Sequence, residues 1–175
     1  MKYSPEVASF PSELQLGNVY SKLLMDEFSE FDGNVHFKME VKAPGCIPDM
    51  IVFVECQNSI EYIITFEFKL RKWKRALNQA FRHRNFCNET YVVLDHSHAK
   101  SAISNKEKFR KANIGLITID THGKRYTWVL PKPSTPFSNK FSHNLASTLL
   151  SIPQNVSIEM PFVKSTVGGE RFQRN

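Results

Sequence analysis

The alternation of apolar and polar positions predicts a helix and three strands in the first half of the chain. A helical pattern opens at Ser12 and carries apolar side chains near helical spacing at Leu14, Val19, Leu23, Leu24 and Phe28. Residues 35–41 then alternate apolar and polar side chains as a half-buried strand does. Residues 47–55 and 62–70 are predicted as the second and third strands, separated by the turn-prone residues 57–59.

The second half of the chain continues with helices and strands in turn. Residues 72–86 change to a helical period, with one apolar stripe made of Trp73, Ala76, Leu77, Ala80 and Phe81. The further predicted elements are a central strand over 90–94, a polar helix over 104–112, a hairpin of 114–120 with 126–130, and a short helix over 144–152.

This order of elements predicts an α/β fold, in which helices flank a mixed central β-sheet. Prolines at 131, 133 and 136 interrupt regular structure after the last predicted strand. We therefore expect one domain over residues 1–131 and a C-terminal extension over 132–175. The extension is expected to be partly helical or weakly ordered.

Composition narrows the class of protein. The 175 residues suffice for one ordinary domain, and 41% hydrophobic with 23% charged residues is typical of a globular protein. No apolar run approaches the roughly 18 residues that span a bilayer, and the first residues lack the apolar block of a signal peptide, so we expect a cytoplasmic protein. Three widely spaced cysteines argue against a disulfide framework and a structural zinc site. Neither GxGxxG nor GxxxxGK[ST] occurs, which argues against a nucleotide-binding phosphate loop.

The positive charge is concentrated in one short window. The formal net charge is +6, and the stretch from Lys69 to Arg84 holds seven Lys or Arg residues and no acidic residue. The remainder of the chain carries 16 basic and 17 acidic residues. Such a localised positive field suits a polyanionic partner, although a solvated helix face has the same pattern.

Three charged residues interrupt the apolar strands at related positions. Glu67 and Lys69 are two apart in a strand and point to the same face, whereas Phe68 points to the core. If the hairpin is symmetric about Asn58, Asp49 lies opposite Glu67, with Cβ atoms about 4.5–5.5 Å apart. Two carboxylates so close favour a hard divalent cation such as Mg²⁺ between them. Lys69 would then lie beside the metal, placed to orient or help deprotonate a water molecule.

Each of these residues also has a plain structural interpretation. Glu67 and Lys69 fit an ordinary surface pair worth ~0–1 kcal/mol, and Asp49 after Pro48 fits a turn. Their combination at matched positions, followed at once by a basic helix, favours the functional interpretation. The run His96-Ser97-His98 offers only two metal ligands, and we expect these to be surface or edge-strand histidines.

The segment Pro48-Asp49, followed after seventeen residues by Glu67-Phe68-Lys69, resembles the motif of the PD-(D/E)xK nuclease superfamily. That superfamily includes restriction endonucleases, Holliday-junction resolvases and exonuclease domains. The resemblance covers about residues 12–95 and implies a restriction-endonuclease-like core of helix, three-stranded meander, helix and further strand. It also implies that Asp49, Glu67 and the main-chain carbonyl of Phe68 hold Mg²⁺, for which Mn²⁺ can substitute, and that Lys69 activates or positions the attacking water.

The resemblance implies two further candidates. Many members place an additional acidic residue on the first helix, and Glu13 is the candidate here, with Glu27 and Glu30 on the same segment. Some exonuclease-like members carry a Gln followed four residues later by a Tyr on the helix after the motif. Gln79 is therefore a catalytic candidate, whereas the residue four positions later is His83, which departs from the pattern.

The helix after the motif also predicts a nucleic-acid-binding surface without the resemblance. Lys72, Arg75, Gln79 and Arg82 recur at helical spacing and form one stripe. Arg and Lys contacts to phosphate supply affinity without reading sequence. We expect this stripe to bind the substrate backbone, whereas Trp73 and Phe81 are expected in the core.

These inferences predict a Mg²⁺-dependent nuclease, expected to be an endonuclease, that hydrolyses phosphodiester bonds of DNA. One alternative is a catalytically inactive module of the same fold that binds nucleic acid or serves in assembly. A second alternative is an RNA-directed nuclease. A chain of this length has little room for a sequence-reading domain, so specificity is expected to come from loops, from substrate shape, from a homodimer or from a separate specificity partner. No membrane partner is expected.

Overall fold

The structure, a computed structural model, describes residues 8–29, 34–152 and 157–158 and has an α/β fold. A mixed sheet of six strands forms the centre, with a two-residue strand added at one edge. The elements in chain order are α1 Glu13–Phe28, β1 Asn34–Met39, β2 Met50–Cys56, β3 Ser59–Lys69, α2 Trp73–His83, β4 Glu89–Asp95, a 3₁₀ turn His96–His98, α3 Lys100–Ser104, α4 Lys106–Ala112, β5 Gly115–Ile119, β6 Arg125–Val129, α5 Asn139–Ser151 and β7 Ser157–Ile158. Among these described helices, none combines the length and the apolar character needed to cross a bilayer.

The sheet brings the ends of three parallel strands to one edge. Its strand order is β6-β5-β4-β3-β2-β1-β7. Strands β1 to β3 form an antiparallel meander, β3, β4 and β5 run parallel, and β6 returns antiparallel to β5. The carboxyl ends of β3, β4 and β5 therefore lie side by side, with Lys69 opposite Leu94 and Asp95 opposite Ile119. Open α/β sheets bind their ligands at such an edge.

Helices cover both faces of the sheet. On one face, α1 packs Tyr20 against Phe66 and Phe68 of β3. On the other face, α2 to α4 form an apolar cluster with β4 and β5, and α5 forms another cluster with β2 and β3. The side chains that β3 turns toward this second face include buried Glu67 and Lys69. Polar groups thus lie in the interior layer between two apolar clusters.

The β2–β3 hairpin has the predicted register near the site, but the turn is different. Met50 pairs with Phe66, as the predicted register requires. The turn is centred between Gln57 and Asn58, both with positive φ, so pairing near the turn is displaced by one residue. A β-bulge beside Glu55 absorbs the displacement. The predicted symmetry about Asn58 is therefore wrong, although the register at the far end of the hairpin is right.

Two predicted helices have different bounds. The helix predicted over 104–112 begins at Lys106 as α4, and a separate short helix that was not predicted, α3, precedes it. The last helix begins at Asn139 rather than 144, because the side chain of Ser138 accepts a hydrogen bond from the backbone N–H of Phe141 and caps it. Leu145 and Leu149 of α5 are buried against the sheet, so the helical part of the predicted extension shares the core. Apart from β7, the part of the predicted extension that follows residue 152 lies outside the described residues, and so does the expectation of weak order there.

One predicted core residue lies at the surface. Trp73 is buried as predicted, but the side chain of Phe81 is 49% exposed. The buried face of α2 consists of Trp73, Ala76, Ala80 and His83. His83 completes this face because it follows Ala76 by seven residues and Ala80 by three, whereas Phe81 falls beyond the edge of the stripe.

Candidate functional site

The candidate site lies at the carboxyl end of β3, where the apolar pattern is broken. Glu67 is fully buried and Lys69 is 8% exposed, whereas Phe68 between them points to the α1 side. Asp49 directly precedes β2, and its neighbour Met50 pairs with Phe66. Strand alternation and this register bring Asp49, Glu67 and Lys69 together, as the sequence predicts.

The ammonium group of Lys69 is the centre of the cluster. Its Nζ lies 2.8 Å from Oε1 of Glu67, 3.3 Å from Oε2 of Glu13 and 3.5 Å from Oδ2 of Asp49. The side chains of Glu13 and Asp49 are 49% and 32% exposed, whereas that of Glu67 is not exposed at all. The cluster is therefore closed at Glu67 and open to solvent at the other two carboxylates.

The backbone of Phe68 connects these side chains. Its N–H donates to Oδ2 of Asp49 at 2.7 Å, and its carbonyl oxygen accepts from Nζ of Lys69 at 2.7 Å. The carbonyl oxygen of Phe68 thus lies at the same cation as the three carboxylates. This set of hard oxygen donors, Glu13 included, is the one that the resemblance implies.

Burial and mutual repulsion set the ionisation of the carboxyl groups. Burial raises the pKa of Glu67 to about 7, with the ion pair to Lys69 acting in the opposite direction and the charge of Asp49 adding to the rise. Burial also raises the pKa of Asp49, against the backbone hydrogen bond from Phe68. For Lys69, burial alone would lower the pKa, but the contact with Glu67 and the other two carboxylates raises it above its usual value. Lys69 is therefore a permanent cation at neutral pH.

Residues that precede α1 hold Glu13 in place. Asp95, fully buried at the end of β4, accepts hydrogen bonds from the Ser9 hydroxyl at 2.6 Å and from the Phe10 backbone N–H at 2.9 Å. The hydroxyl of Ser12 then caps the helix by accepting from the Gln15 backbone N–H. These contacts attach the start of α1 to the sheet edge at which Lys69 ends its strand.

The two other acidic candidates on this segment are not at the cluster. Glu27 forms an ion pair with Arg125, with a shortest distance of 2.7 Å to Nη2. Glu30 lies outside the described residues. Of the described candidates, Glu13 is the one that reaches Lys69.

Helix α2 covers Glu67 with a histidine. Nε2 of His83 lies 3.8 Å from Oε2 of Glu67, and neither ring nitrogen makes a hydrogen bond with a described residue. Burial, followed by the charge of Lys69, lowers the pKa of His83 to about 4, so the ring is neutral at physiological pH. Gln79 lies one turn earlier on the same side of α2, and its Oε1 is buried without a hydrogen bond to the described part of the chain.

The sequence pattern does not assign this place to His83. Its spacing of four residues from Gln79 is the available signal, but the motif that the chain resembles has Tyr at this position. Cys46 is a second neighbour of the site that sequence reasoning missed. Burial raises the pKa of the Cys46 thiol to about 11, with the charge of Glu67 adding to the rise and that of Arg82 opposing it. Cys46 therefore lies within electrostatic reach of both residues.

The cationic stripe on α2 is exposed as predicted. Lys72, Arg75 and Arg82 are exposed and Gln79 is half-buried. The charges of both Glu67 and Arg82 act on the Cys46 thiol. The stripe thus lies on the helix whose inner face places His83 beside Glu67.

The donor set around Lys69 consists of hard oxygen atoms. Within residues 8–29, 34–152 and 157–158, no group of three or more His, Cys, Asp and Glu side chains is arranged to hold a metal ion. Three carboxylates nevertheless share a single ammonium group, and Oε2 of Glu67 accepts no hydrogen bond from the described residues. An oxygen-only set with a surplus of negative charge is the kind that Mg²⁺ and Mn²⁺ prefer.

The other histidine pair is divided between two environments. His96 is buried, contrary to the expectation of a surface or edge-strand position, with Nδ1 2.9 Å from the Thr118 hydroxyl and its ring stacked on Tyr126. Nε2 of His98 lies 3.0 Å from the Ser9 hydroxyl. Because the two rings contact different partners, they do not form a shared metal site.

Comparison with known proteins adds no relative: no family model matches the chain, and neither a curated protein nor a solved structure matches it. The functional interpretation therefore depends on the geometry of the site.

Proposed function

We propose that the protein is a divalent-metal-dependent nuclease that hydrolyses phosphodiester bonds of DNA. The observation that carries the proposal is the convergence of Glu13, Asp49 and Glu67 on the ammonium group of Lys69. The element order of helix, three-stranded meander, helix and parallel strand supports a restriction-endonuclease-like core for this site.

In this proposal Asp49, Glu67 and the carbonyl oxygen of Phe68 hold Mg²⁺, and Glu13 supplies a further carboxylate. When bound, Mg²⁺ stabilises the negative charge that develops on the phosphoryl and leaving oxygens. Glu67 is buried and therefore holds its position, whereas the exposed sides of Asp49 and Glu13 leave room for a phosphate group to approach.

Lys69 positions the attacking water in this proposal. In the metal-free protein the contact with Glu67 and the charges of Asp49 and Glu13 raise its pKa, so Nζ is protonated and can donate hydrogen bonds to a water molecule. An ammonium that already contacts the Phe68 carbonyl and two strand carboxylates is well placed to orient a water molecule for in-line attack on phosphorus. The stripe of Lys72, Arg75 and Arg82 contributes phosphate contacts along the strand.

One observation favours a second candidate, the catalytically inactive nucleic-acid-binding module. Lys69 already neutralises part of the carboxylate charge, and no metal-binding arrangement of three side chains occurs among the described residues. Such an internal ion pair could be purely structural. The two candidate functions differ in whether divalent cations bind at the site and support cleavage.

Cleavage assays separate the two candidates. Purified protein is incubated with supercoiled, linear, branched and single-stranded DNA and with RNA, each with Mg²⁺, Mn²⁺ or EDTA. We expect metal-dependent cleavage that falls by at least about 100-fold in Glu67→Gln, since even outer-shell changes at metal sites cost about 10- to 100-fold. Glu27→Gln, an acid-to-amide change at the Arg125 ion pair, is the matched control and should cleave at the wild-type rate.

Full-rate cleavage by Glu67→Gln would contradict the assignment of the site. Binding without cleavage on every substrate, unaffected by Mg²⁺ or Mn²⁺, would support the inactive module. Cleavage confined to RNA would support the RNA-directed alternative.

A further inference from the structure

Two aromatic side chains lie together at the surface where α2 meets the segment between β6 and α5. Phe81 is 49% exposed and Phe137 is 55% exposed. Their ring centroids are 6.3 Å apart, and the ring planes are inclined by 63°. The pair presents an apolar surface to solvent beside the helix that covers the candidate site.

Arg84 fixes the position of this aromatic pair. The Phe137 backbone N–H donates to the Arg84 carbonyl at 2.9 Å, and the Arg84 guanidinium carbon lies 4.2 Å from the centroid of the Phe137 ring. The guanidinium is itself held by donating from Nη1 to the carbonyl of Ala112 at 2.9 Å. The Phe137 ring is therefore supported from beneath by a fixed cation, while much of it remains exposed.

The charge around the pair is positive. Two stretches without acidic residues meet here, 69–88 and 121–152. Arg82 and Arg84 lie within three residues of Phe81 in the first stretch, and Lys140 lies three residues from Phe137 in the second. A ligand that combines negative charge with flat apolar faces suits such a surface, and a strand of nucleic acid with unpaired bases has both. A second copy of this chain would bring like charges together.

The position on α2 connects this surface to the candidate site. Phe81 precedes His83 by two residues, and His83 faces Glu67 on the inner side of the helix. Arg82 and Arg75 project from the exposed side of α2 between the inner face and Phe81, by their helical spacing. A strand could therefore leave the carboxylates, place phosphates on these arginines and reach Phe81 about one helix diameter, about 10–12 Å, away.

We propose that Phe81, Phe137 and Arg84 form a stacking platform for an unpaired base, so that the protein takes substrates with a single-stranded segment. This inference rests on the proposed function. Bases inside a duplex are already stacked on their neighbours and offer no free face, whereas every unpaired base has a face that an aromatic ring can cover. The platform therefore selects substrate by strand state and not by sequence.

Binding measured without cleavage tests the platform. Fluorescence anisotropy in EDTA compares wild type with the double variant Phe81→Ala, Phe137→Ala on a labelled oligothymidine and on a blunt duplex of equal length. We expect the double variant to lose about 5- to 150-fold in affinity for the single strand per stacked base. Its affinity for the duplex should change by no more than about twofold, as for other surface substitutions.

Two further variants control for structural effects. Phe141→Ala removes a ring of the same type that is 37% exposed on α5, and it should leave both affinities unchanged. Phe81→Trp keeps an aromatic surface, so it should retain single-strand affinity. Its indole fluorescence should fall when the oligothymidine binds and stay constant when the duplex binds.

Several outcomes would overturn the platform. Equal losses on single strand and duplex would assign the rings to general binding, and an unchanged single-strand affinity would remove them from the interface. A wild-type dimer in sedimentation that the double variant converts to a monomer would assign the surface to a second copy. Failure of the proposed function is distinct: the wild type would then cleave no substrate with metal, or Glu67→Gln would cleave at the wild-type rate.

Discussion

Glu67 dominates the electrostatics of the candidate site because its carboxyl group has no access to solvent. Burial raises its pKa in the folded protein to about 7, whereas an unfolded chain gives a glutamate its ordinary value of 4.5. Below pH 4.5 the carboxyl group is protonated in both the folded and the unfolded state, so it does not lower the free energy of unfolding. As pH rises toward 7, the unfolded state loses its proton first, so the folded state is progressively destabilised.

Replacing Glu67 by Gln should therefore remove a pH-dependent cost. We expect the free energy of unfolding of Glu67→Gln, relative to wild type, to rise by about 3 kcal/mol between pH 4 and pH 8, since each pKa unit corresponds to about 1.4 kcal/mol. Urea denaturation in EDTA at several pH values measures this difference. The stability of Glu67→Gln is compared with that of wild type because His83 also titrates in this range. The pKa of His83 is lowered to about 4, so the folded protein loses stability as pH falls below 6.5, which opposes the effect of Glu67.

A difference that stays constant across this pH range would contradict the burial of an ionisable Glu67. Glu27→Gln again serves as the control, because its carboxyl is half-exposed at the Arg125 ion pair.

Lys69 provides a second prediction at this scale. Its ammonium group holds three carboxylates together, so Lys69→Met should lower the free energy of unfolding in EDTA by about 3–5 kcal/mol, the usual cost of removing one partner from a buried ion pair. Mg²⁺ should then restore part of this stability, because a ligand that binds only the folded state raises its melting temperature. Differential scanning fluorimetry with increasing Mg²⁺ should show a larger rise for Lys69→Met than for wild type. Absent responses in both proteins would mean that the carboxylates do not attract a divalent ion, and equal rises would mean that Lys69 does not compete with the ion for them.

At the scale of elements, α2 has two roles on opposite sides. Its inner face packs Trp73, Ala76 and Ala80 against the sheet and places His83 over Glu67. Its outer side exposes Lys72, Arg75 and Arg82. Substitution of the outer residues should therefore change nucleic-acid binding without disturbing the core.

The triple variant Lys72→Gln, Arg75→Gln, Arg82→Gln tests the stripe. Each lost phosphate contact should reduce the slope of log affinity against log salt by about 0.9, so the triple variant should lose about 2.7 on B-form DNA. Binding titrations at several salt concentrations measure the slope. Lys22→Gln, an exposed lysine on α1, should leave the slope unchanged. A triple variant with the wild-type slope would remove the stripe from the binding surface.

Sequence patterns specified some elements better than others for physical reasons. Strand alternation and the hairpin register placed Asp49 beside Glu67, because the turn and the loop length of a hairpin fix which residues of its two strands pair. The start of α5 depended on the cap at Ser138, which a periodicity argument ignores. The exposure of the Phe81 side chain depends on which elements pack against α2. The residue pattern of one helix does not contain that information.

Across the whole molecule, contacts distant in sequence complete the site. Asp95 at the end of β4 ties down the residues before α1, and this brings Glu13 to the carboxyl end of β3. The sequence offers three acidic candidates on that segment. Among the described ones, this tertiary contact places Glu13 at the site. The α/β class and the mixed sheet followed from the order of elements, whereas the packing of α5 against β2 and β3 followed from long-range burial.

The proposed activity requires the oxygens of Asp49, Glu67 and the Phe68 carbonyl to bind a divalent ion. The most direct measurement is anomalous diffraction from crystals of the wild-type protein soaked in Mn²⁺, with Glu67→Gln crystals as the comparison. We predict a manganese peak bounded by the carboxylates of Asp49 and Glu67 and the Phe68 carbonyl, with Nζ of Lys69 displaced, and no such peak in Glu67→Gln. A wild-type map in which the Lys69 ammonium stays between the carboxylates and no manganese binds there would contradict the account.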